Sequence, residues 1–265
     1  MMDFEAIYGR LEEQGYVVVP GFLDRGTAAV RSHIDRLVPA VAPVEDAAAP
    51  RLHTLRHPIP GAIMARLASN PVLLALAARL LDARDPADLR LLEQVLIRTD
   101  PGPLPAGPTG WHVDMAFFPD QYESRPRRTY YHMVHACSTV QPGGGAFMIV
   151  PGSHRRTYSA TAALPRSEEA LEAFKHNVVE RSGCDLMREA VEVCPEEGDL
   201  LIFNPMCLHS ASRNVRTEPR YVYFASFFDA SATWLRNRLD QIGYRSGFPE
   251  SLRDGLPAPL KRLLD

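Results

Sequence analysis

Thr129-Tyr130-Tyr131-His132-Met133-Val134-His135-Ala136-Cys137-Ser138-Thr139-Val140 runs into Gln141-Pro142-Gly143-Gly144-Gly145, then into Ala146-Phe147-Met148-Ile149-Val150 and Pro151-Gly152-Ser153. Two β-prone runs separated by proline and glycine breakers read as neighbouring strands. Working outward, residues 191–194, 200–203 and 220–228 repeat the pattern, with a break at Glu197-Gly198-Asp199. Upstream, residues 89–99 hold enough Leu, Val and Ile to form another strand. Strands that do not alternate with helices argue against a parallel sheet and for an antiparallel sandwich or jelly roll. One exception, residues 167–175, is an acidic helical insert, readable as a lid or as a solvated surface helix.

The N-terminal third is more helical. Residues 4–13 form a helix ending near Gly15, and 16–19 a short strand closed by Pro20-Gly21. Asp24 or Thr27 can cap a helix whose apolar positions Val30, Ile34, Leu37 and Val38 recur at helical spacing. Asn70-Pro71 is a cap followed by proline at the first helical position. No repeat or linker divides the chain. The expectation is one domain over residues 1–265: helical support to 88, a β core over 89–231 with a helical insert at about 156–190, and a tail over 232–265 covering the barrel mouth or forming a dimer contact.

Composition narrows the function classes. With 265 residues, 46% hydrophobic and 23% charged, the chain can bury a full core without disulfides. A formal charge of −3 lacks the basic excess of a nucleic-acid binder, and no apolar run is long enough to span a membrane. The 23 prolines favour turns and loops over a helical bundle. Cys137, Cys184, Cys194 and Cys207 form no CxxC pair and read as free thiols, which suits a reducing cytoplasm. A small-molecule enzyme, monomeric or homodimeric, is the expectation.

His112-Val113-Asp114 and His33-Ile34-Asp35 are both His-x-Asp frames, and roughly 0.5 such frames arise by chance at this composition. Geometry separates them. Residues two apart in a helix diverge by about 200°, so His33 and Asp35 cannot converge on one ion. In extended chain the same spacing puts both side chains on one face, about 6–7 Å apart. His112 and Asp114 follow Gly110-Trp111 and a proline-glycine loop, which favours the extended form. Two histidines and one carboxylate make the face that holds non-haem Fe(II) in oxygenases. The candidates for the second histidine are His132, His135, His154, His176 and His209, with His53 and His57 upstream. His209 stands out because it follows the turn-and-strand unit 198–205. Eleven residues later Arg220 opens an apolar strand, where a guanidinium invites a carboxylate partner.

Pro151-Gly152-Ser153-His154 lies between these segments, with about 0.003 chance occurrences. Taken in order, Trp111-His112-x-Asp114, Gly145 through His154, and Gly198-Asp199…Phe203…His209…Arg220 resemble the phytanoyl-CoA dioxygenase family. The resemblance spans about 15–231 and includes the opening Gly15-Tyr16-Val17-Val18-Val19. It implies a mainly β fold with flanking helices around a double-stranded β-helix (jelly-roll, cupin-like) core. It also implies Fe(II), with 2-oxoglutarate and O2 as cosubstrates. By that resemblance His112, Asp114 and His209 are the metal ligands and Arg220 binds the distal carboxylate of 2-oxoglutarate, while His154 is a structural turn residue.

The strand 130–134 lies where relatives line the cavity, which makes Tyr130, His132 and Val134 an inward set. His132 is assigned to the cosubstrate and the other two to substrate. Gln94 sits at a position that contacts substrate in some relatives. Two departures stand out. Val113 replaces a frequent Gln, and Asp100-Pro101-Gly102 lacks a Lys that relatives carry before Pro-Gly, a charge Arg98 is expected to supply from the same strand face. Phe117 and Phe118, with Arg125, Arg127 and Arg128 nearby, suggest a substrate with apolar bulk and an anionic group. Asp114 occupies the position that halogenases of this type leave without a carboxylate, which disfavours halogenation. The implied reaction is oxidation of an unactivated C–H bond of a secondary metabolite or small lipid, by default hydroxylation, with release of succinate and CO2. Desaturation, cyclisation and epimerisation share that chemistry. The rivals from other classes are an O2-independent cupin-like isomerase and a non-catalytic binding module.

Overall fold

The computed structural model describes residues 3–23, 26–243 and 247–265. Local chemistry sets the first elements. The Asp3 side chain accepts from the Ala6 N–H, and Gly15 in the left-handed region closes α1 (Phe4–Gln14). β1 (Tyr16–Val19) follows at once. α2 (Thr27–Leu37) starts from Gly26 without a side-chain cap; Asp24, one of the two expected caps, lies outside the described residues. Next come β2 (Leu52–Leu55) and α3 (Ala62–Ala68), which carried no clear sequence signal. α4 (Pro71–Leu80) is capped by Asn70, whose side chain accepts from the Val72 and Leu73 N–H groups.

The strands come next. β3 (Leu89–Thr99), α5 (Pro119–Glu123), β4 (Tyr130–Ala136) and β5 (Phe147–Ile149) lead into a helical insert. The insert comprises α6 (Ser153–Ala162), α7 (Glu168–His176), α8 (Val178–Ser182) and α9 (Leu186–Glu189). It begins at Ser153, so His154 lies in the first turn of a helix and not in the turn before it. β6 (Val191–Val193), β7 (Leu200–Phe203), β8 (His209–Ala211) and β9 (Arg220–Asp229) complete the sheets, and α10 (Thr233–Gln241) and α11 (Glu250–Gly255) form the tail.

The larger sheet has the order β1-β7-β4-β9-β3-β2 and the smaller β6-β5-β8, every named pair antiparallel. This is the jelly-roll sandwich the breaker pattern predicts. One face of the larger sheet, with Leu96, Tyr131, Met133, Tyr223 and Phe227, packs on Leu11, Ile34, Leu73 and Leu80 of the helices. The opposite face, with Val134, Leu201, Phe203 and Val222, meets Phe147, Ile149 and Val193 of the smaller sheet. Parity along each strand therefore decides which side chains see the interior of the sandwich.

The insert and the tail are packed, not merely solvated. Leu171, Phe174 and Val178 join Phe117, Tyr130 and Leu235 in a third apolar cluster. α10 is tied to α7 by Trp234 and Arg238, both donating to Glu168. Leu252, Leu256, Leu263 and Leu264 enter the helix-side core. Among the described residues no single helix is long and apolar enough to cross a membrane; the bent pair α3 and α4 passes by composition, yet most of its apolar side chains lie in that core.

Candidate metal centre and its cavity

An antiparallel bridge brings the two ligand segments together. The His112 N–H donates to the His209 carbonyl at 2.9 Å and the His209 N–H returns to the His112 carbonyl at 3.0 Å. Asp114 is anchored two residues on, its N–H donating to Pro205 O at 3.1 Å. The ligand atoms of His112, Asp114 and His209 all lie within 4.8 Å of one another. His209 Nε2 is 3.2 Å from Asp114 Oδ2, and His112 Nε2 is 3.7 Å from Oδ1. His33, by contrast, sits in α2, where Asp35 turns away to accept from Tyr221 Oη and pair with Arg98.

Each histidine is oriented from behind. His112 Nδ1 lies 3.0 Å from Gly110 O and His209 Nδ1 2.8 Å from Cys207 O. A carbonyl can only accept, so both Nδ1 atoms carry the proton and both Nε2 lone pairs face the carboxylate. Three acceptors converging in this way repel unless a cation lies among them. Two imidazole nitrogens and one carboxylate oxygen form a donor set suited to Fe(II). Burial and the neighbouring His209 lower the His112 pKa. Burial works to raise the pKa of Asp114, but His209 and His132, in their protonated forms, hold it well below the usual carboxylate range.

The cluster opens onto a cavity of about 230 Å³ walled by Val95, Ile97, Phe147, Phe203 and Phe224. Arg220 also lines it. The side chain is buried, its Nε has no hydrogen-bond partner, and no acidic side chain pairs with it among the described residues. Burial pulls its pKa down to about 10, an uncomfortable state for a guanidinium. Such a group fits an anionic ligand entering the cavity.

His132 lies inside, as its strand parity predicts. Its Nδ1 is 2.9 Å from Ser226 Oγ and 3.2 Å from Glu93 Oε1, while Nε2 faces Asp114 Oδ2 at 3.0 Å in an ion-pair contact off the ring N–H axis. Burial acts to lower its pKa, but Asp114 and Glu93 outweigh this and raise it to about 9. The ring stacks on Phe203, 4.8 Å between centroids.

Other expected site residues lie elsewhere, for reasons of register. β3 pairs with β9 so that Thr99 faces Arg220, Ile97 faces Val222 and Val95 faces Phe224, with a bulge between Leu91 and Glu93. Odd-numbered β3 residues from Glu93 on therefore point inward. Gln94 points to the helices, its Nε2 donating to Met64 O and Tyr223 Oη, so it does not contact the cavity. Arg98 points the same way and is held by Asp100, Asp35 and the Pro39 carbonyl, so it is no substitute cosubstrate cation. Phe117 and Phe118 belong to the third apolar cluster with Tyr130, and none of these three lines the cavity. Val134 packs between the sheets without reaching the cavity wall. Arg127, expected with its neighbours to suit an anionic substrate group, is buried against Glu12, Tyr8 and Tyr122 and does not line the cavity.

What the sequence reading missed is Glu93, a buried carboxylate on the cavity wall paired with Arg56 at 2.7 Å and with His132. Burial would raise its pKa, but His132 and Arg56 keep it lowered. Strand alternation would expose it only once the register with β9 is known.

A family model described as phytanoyl-CoA dioxygenase (PhyH) matches residues 11–222. No curated protein matches the chain. Among solved structures, SnoN, a non-heme alpha ketoglutarate dependent epimerase from nogalamycin biosynthesis, is 25% identical over 86% of this chain and 83% of its own, with a TM-score of 0.59. HygX from Streptomyces hygroscopicus, with nickel, 2-oxoglutarate and hygromycin B bound, is 22% identical over 86% of this chain and 88% of its own, with a TM-score of 0.56. EvdO2 from Micromonospora carbonacea var. aurantiaca, complexed with 2-oxoglutarate, is 18% identical over 87% and 92%, with a TM-score of 0.60. The last two likenesses speak for the fold alone.

Proposed function

Since the chain belongs to the phytanoyl-CoA dioxygenase family, we propose that it is an Fe(II)- and 2-oxoglutarate-dependent oxygenase that oxidises a C–H bond of a small organic substrate, hydroxylation being the default. The observation that carries this reading is the sharing of one cavity by a His-Asp-His cluster and a buried, unpaired guanidinium. Fe(II), 2-oxoglutarate and O2 would together supply the oxidising power for an unactivated C–H bond, with succinate and CO2 released.

The chain's own residues do the positioning. His112 and His209 present neutral Nε2 atoms, and Asp114 stays anionic at neutral pH, so the site needs no proton released from the carboxylate before it can take a cation. Arg220 meets the distal carboxylate of the cosubstrate and gains the partner it otherwise lacks. Val95, Ile97, Phe147, Phe203 and Phe224 keep the wall apolar, which limits water near the reacting groups. A cupin-like isomerase using no 2-oxoglutarate would leave Arg220 without a task.

The test is anaerobic loading with Fe(II) and 2-oxoglutarate, followed by succinate measurement on admitting air. His112→Ala and Asp114→Ala are expected to lose iron binding, with succinate formation falling beyond the roughly 10–100-fold that removing only the partner of a ligand brings. Equal turnover in those variants would refute the reading. The likeness to SnoN supports epimerisation as a second outcome of the same site. A product heavier by one oxygen atom marks hydroxylation; unchanged mass with an inverted centre marks epimerisation.

A further inference from the structure

A second cavity, about 260 Å³, lies end to end with the first, and three strands step from one into the other. On β2 the first cavity is lined by Leu52, Thr54 and Arg56, the second by Leu52 and the preceding Arg51. Along β8 the first takes His209 and Ala211, the second Ala211 through Asn214. On β3 the first takes Glu93, Val95 and Ile97, the second Thr99 and Asp100. Leu52 and Ala211 wall both, so the two cavities adjoin between the β2 edge of the larger sheet and the smaller sheet. At about 3.3 Å per residue, the seven steps from Glu93 to Asp100 give them a combined length on the order of 20 Å.

Several of its polar groups are already engaged, while the Thr99 and Ser212 hydroxyls and Arg51 Nε are buried without a hydrogen-bond partner among the described residues and Arg213 also lines the wall. Asp100 is taken by Arg98 and His53, and the Asn214 amide by the Thr99 and Glu218 carbonyls. Arg51 donates to the carbonyls of Ala42, Pro43 and Asp46 and so ties down the 42–46 segment. Most of the remaining wall is apolar. Leu52 and Leu104 on the walls are two of the ten exposed large hydrophobic residues described, and Val44 lies in the segment that Arg51 ties down. Exposed apolar side chains gathered at one place mark a binding surface more often than chance scatter does. The cosubstrate would share the first cavity, so a sizeable substrate extends outside it.

The geometry points to a substrate with two parts: a group oxidised at the metal and an aliphatic or aromatic arm seated between Leu52, Ala211 and Leu104 in the second cavity. This rests on the proposed metal site for the first part only. Apolar recognition thus sits on the β2 side of the site, away from Phe117 and Phe118.

The probes are butanol, hexanol and octanol, titrated by calorimetry into protein loaded with Co(II) and 2-oxoglutarate. Affinity is expected to rise by up to about 4-fold per methylene until the cavity fills. Leu104→Asp, an exposed position that the fold tolerates, should remove that rise, and Val72→Asp, an exposed apolar residue on α4, should not. Octanol should also perturb the visible spectrum of the bound Co(II). No rise with chain length, an equal rise in Leu104→Asp, or an undisturbed Co(II) spectrum would each overturn the inference. Repeating the titration on metal-free protein separates the two claims. A wild-type protein that binds octanol in a Leu104-dependent manner but takes up neither Co(II) nor 2-oxoglutarate refutes the oxygenase reading and with it the link to catalysis.

Discussion

Arg220→Met is the sharpest perturbation the site offers, because it is expected to stabilise the ligand-free protein while destroying cosubstrate binding. The guanidinium is buried, and burial lowers its pKa from the ordinary value to about 10. At about 1.4 kcal/mol per pH unit, this corresponds to an upper bound of about 3 kcal/mol of native-state destabilisation. The sign follows from linkage. A cation whose folded pKa lies below its unfolded one destabilises the fold at every pH below the folded value, and the penalty fades only as pH rises through it. At neutral pH the full penalty is present. Methionine keeps much of the side-chain length and removes the charge, and replacing an unpaired buried ion with an apolar group of similar volume is favourable. For a chain of this size, relief of 1–3 kcal/mol raises Tm by roughly 3–10 °C. 2-Oxoglutarate should reverse the order. Present at 100 times its Kd, it stabilises the wild type by about 2.7 kcal/mol. Truncating one partner of a buried charge pair costs about 2–5 kcal/mol, at least 30-fold in affinity, so at the same ligand concentration the variant should keep at most about a third of that stabilisation. Differential scanning fluorimetry with and without 2-oxoglutarate, under anaerobic Co(II), reads both numbers. A ligand-free Tm that drops as for a core truncation, or a ligand shift equal to wild type, would refute the reasoning.

Two further outcomes follow from other positions. Gly15→Ala should cost about 2–4 kcal/mol and weaken metal binding as well: at φ +76° a Cβ would sit 2.1 Å from Cys207 Sγ and 2.5 Å from His154 Nδ1, and the Cys207 carbonyl is what orients His209. Chemical denaturation and Co(II) titration check the two effects. His135 is buried with neither ring nitrogen partnered among the described residues, and burial lowers its pKa to about 3. The unfolded chain takes up a proton below about 6.5 and the native state does not, so stability falls as pH drops from about 6.5 towards 3, by up to about 1.4 kcal/mol per unit from this group. His135→Phe preserves the stacking on Tyr223 and should flatten that limb in urea midpoints at pH 7, 6 and 5; an unchanged slope would count against it.

Much of the site was legible because its chemistry is local. His112-x-Asp114 shares a face wherever the chain is extended, and the breakers around residues 105–110 make it extended there. Arg220 heads an apolar strand in which a charge has no other business. Likewise the β-run and breaker pattern points to a sandwich, since short strands joined by tight turns favour antiparallel pairing. Three histidines near the centre of the sequence could not be told apart in this way. His132, His135 and His209 all lie on strands; His209 meets the metal pair because a bridge forms to His112, His132 stands beside it, and His135 turns to the other side.

What tertiary structure alone decided is parity and register. Sequence alone suffices to mark β3 as a strand and to set His112 and Asp114 on one face of an extended segment. It does not say which alternate residues of β3 face inward, because both sets are apolar enough to be buried: one against helices, the other inside the sandwich. Pairing with β9, shifted by a bulge at Leu91/Glu93, sends Glu93 into the cavity and Gln94 and Arg98 out of it. A strand has period two, so a one-residue displacement exchanges its faces entirely, and only the partner strand specifies that displacement.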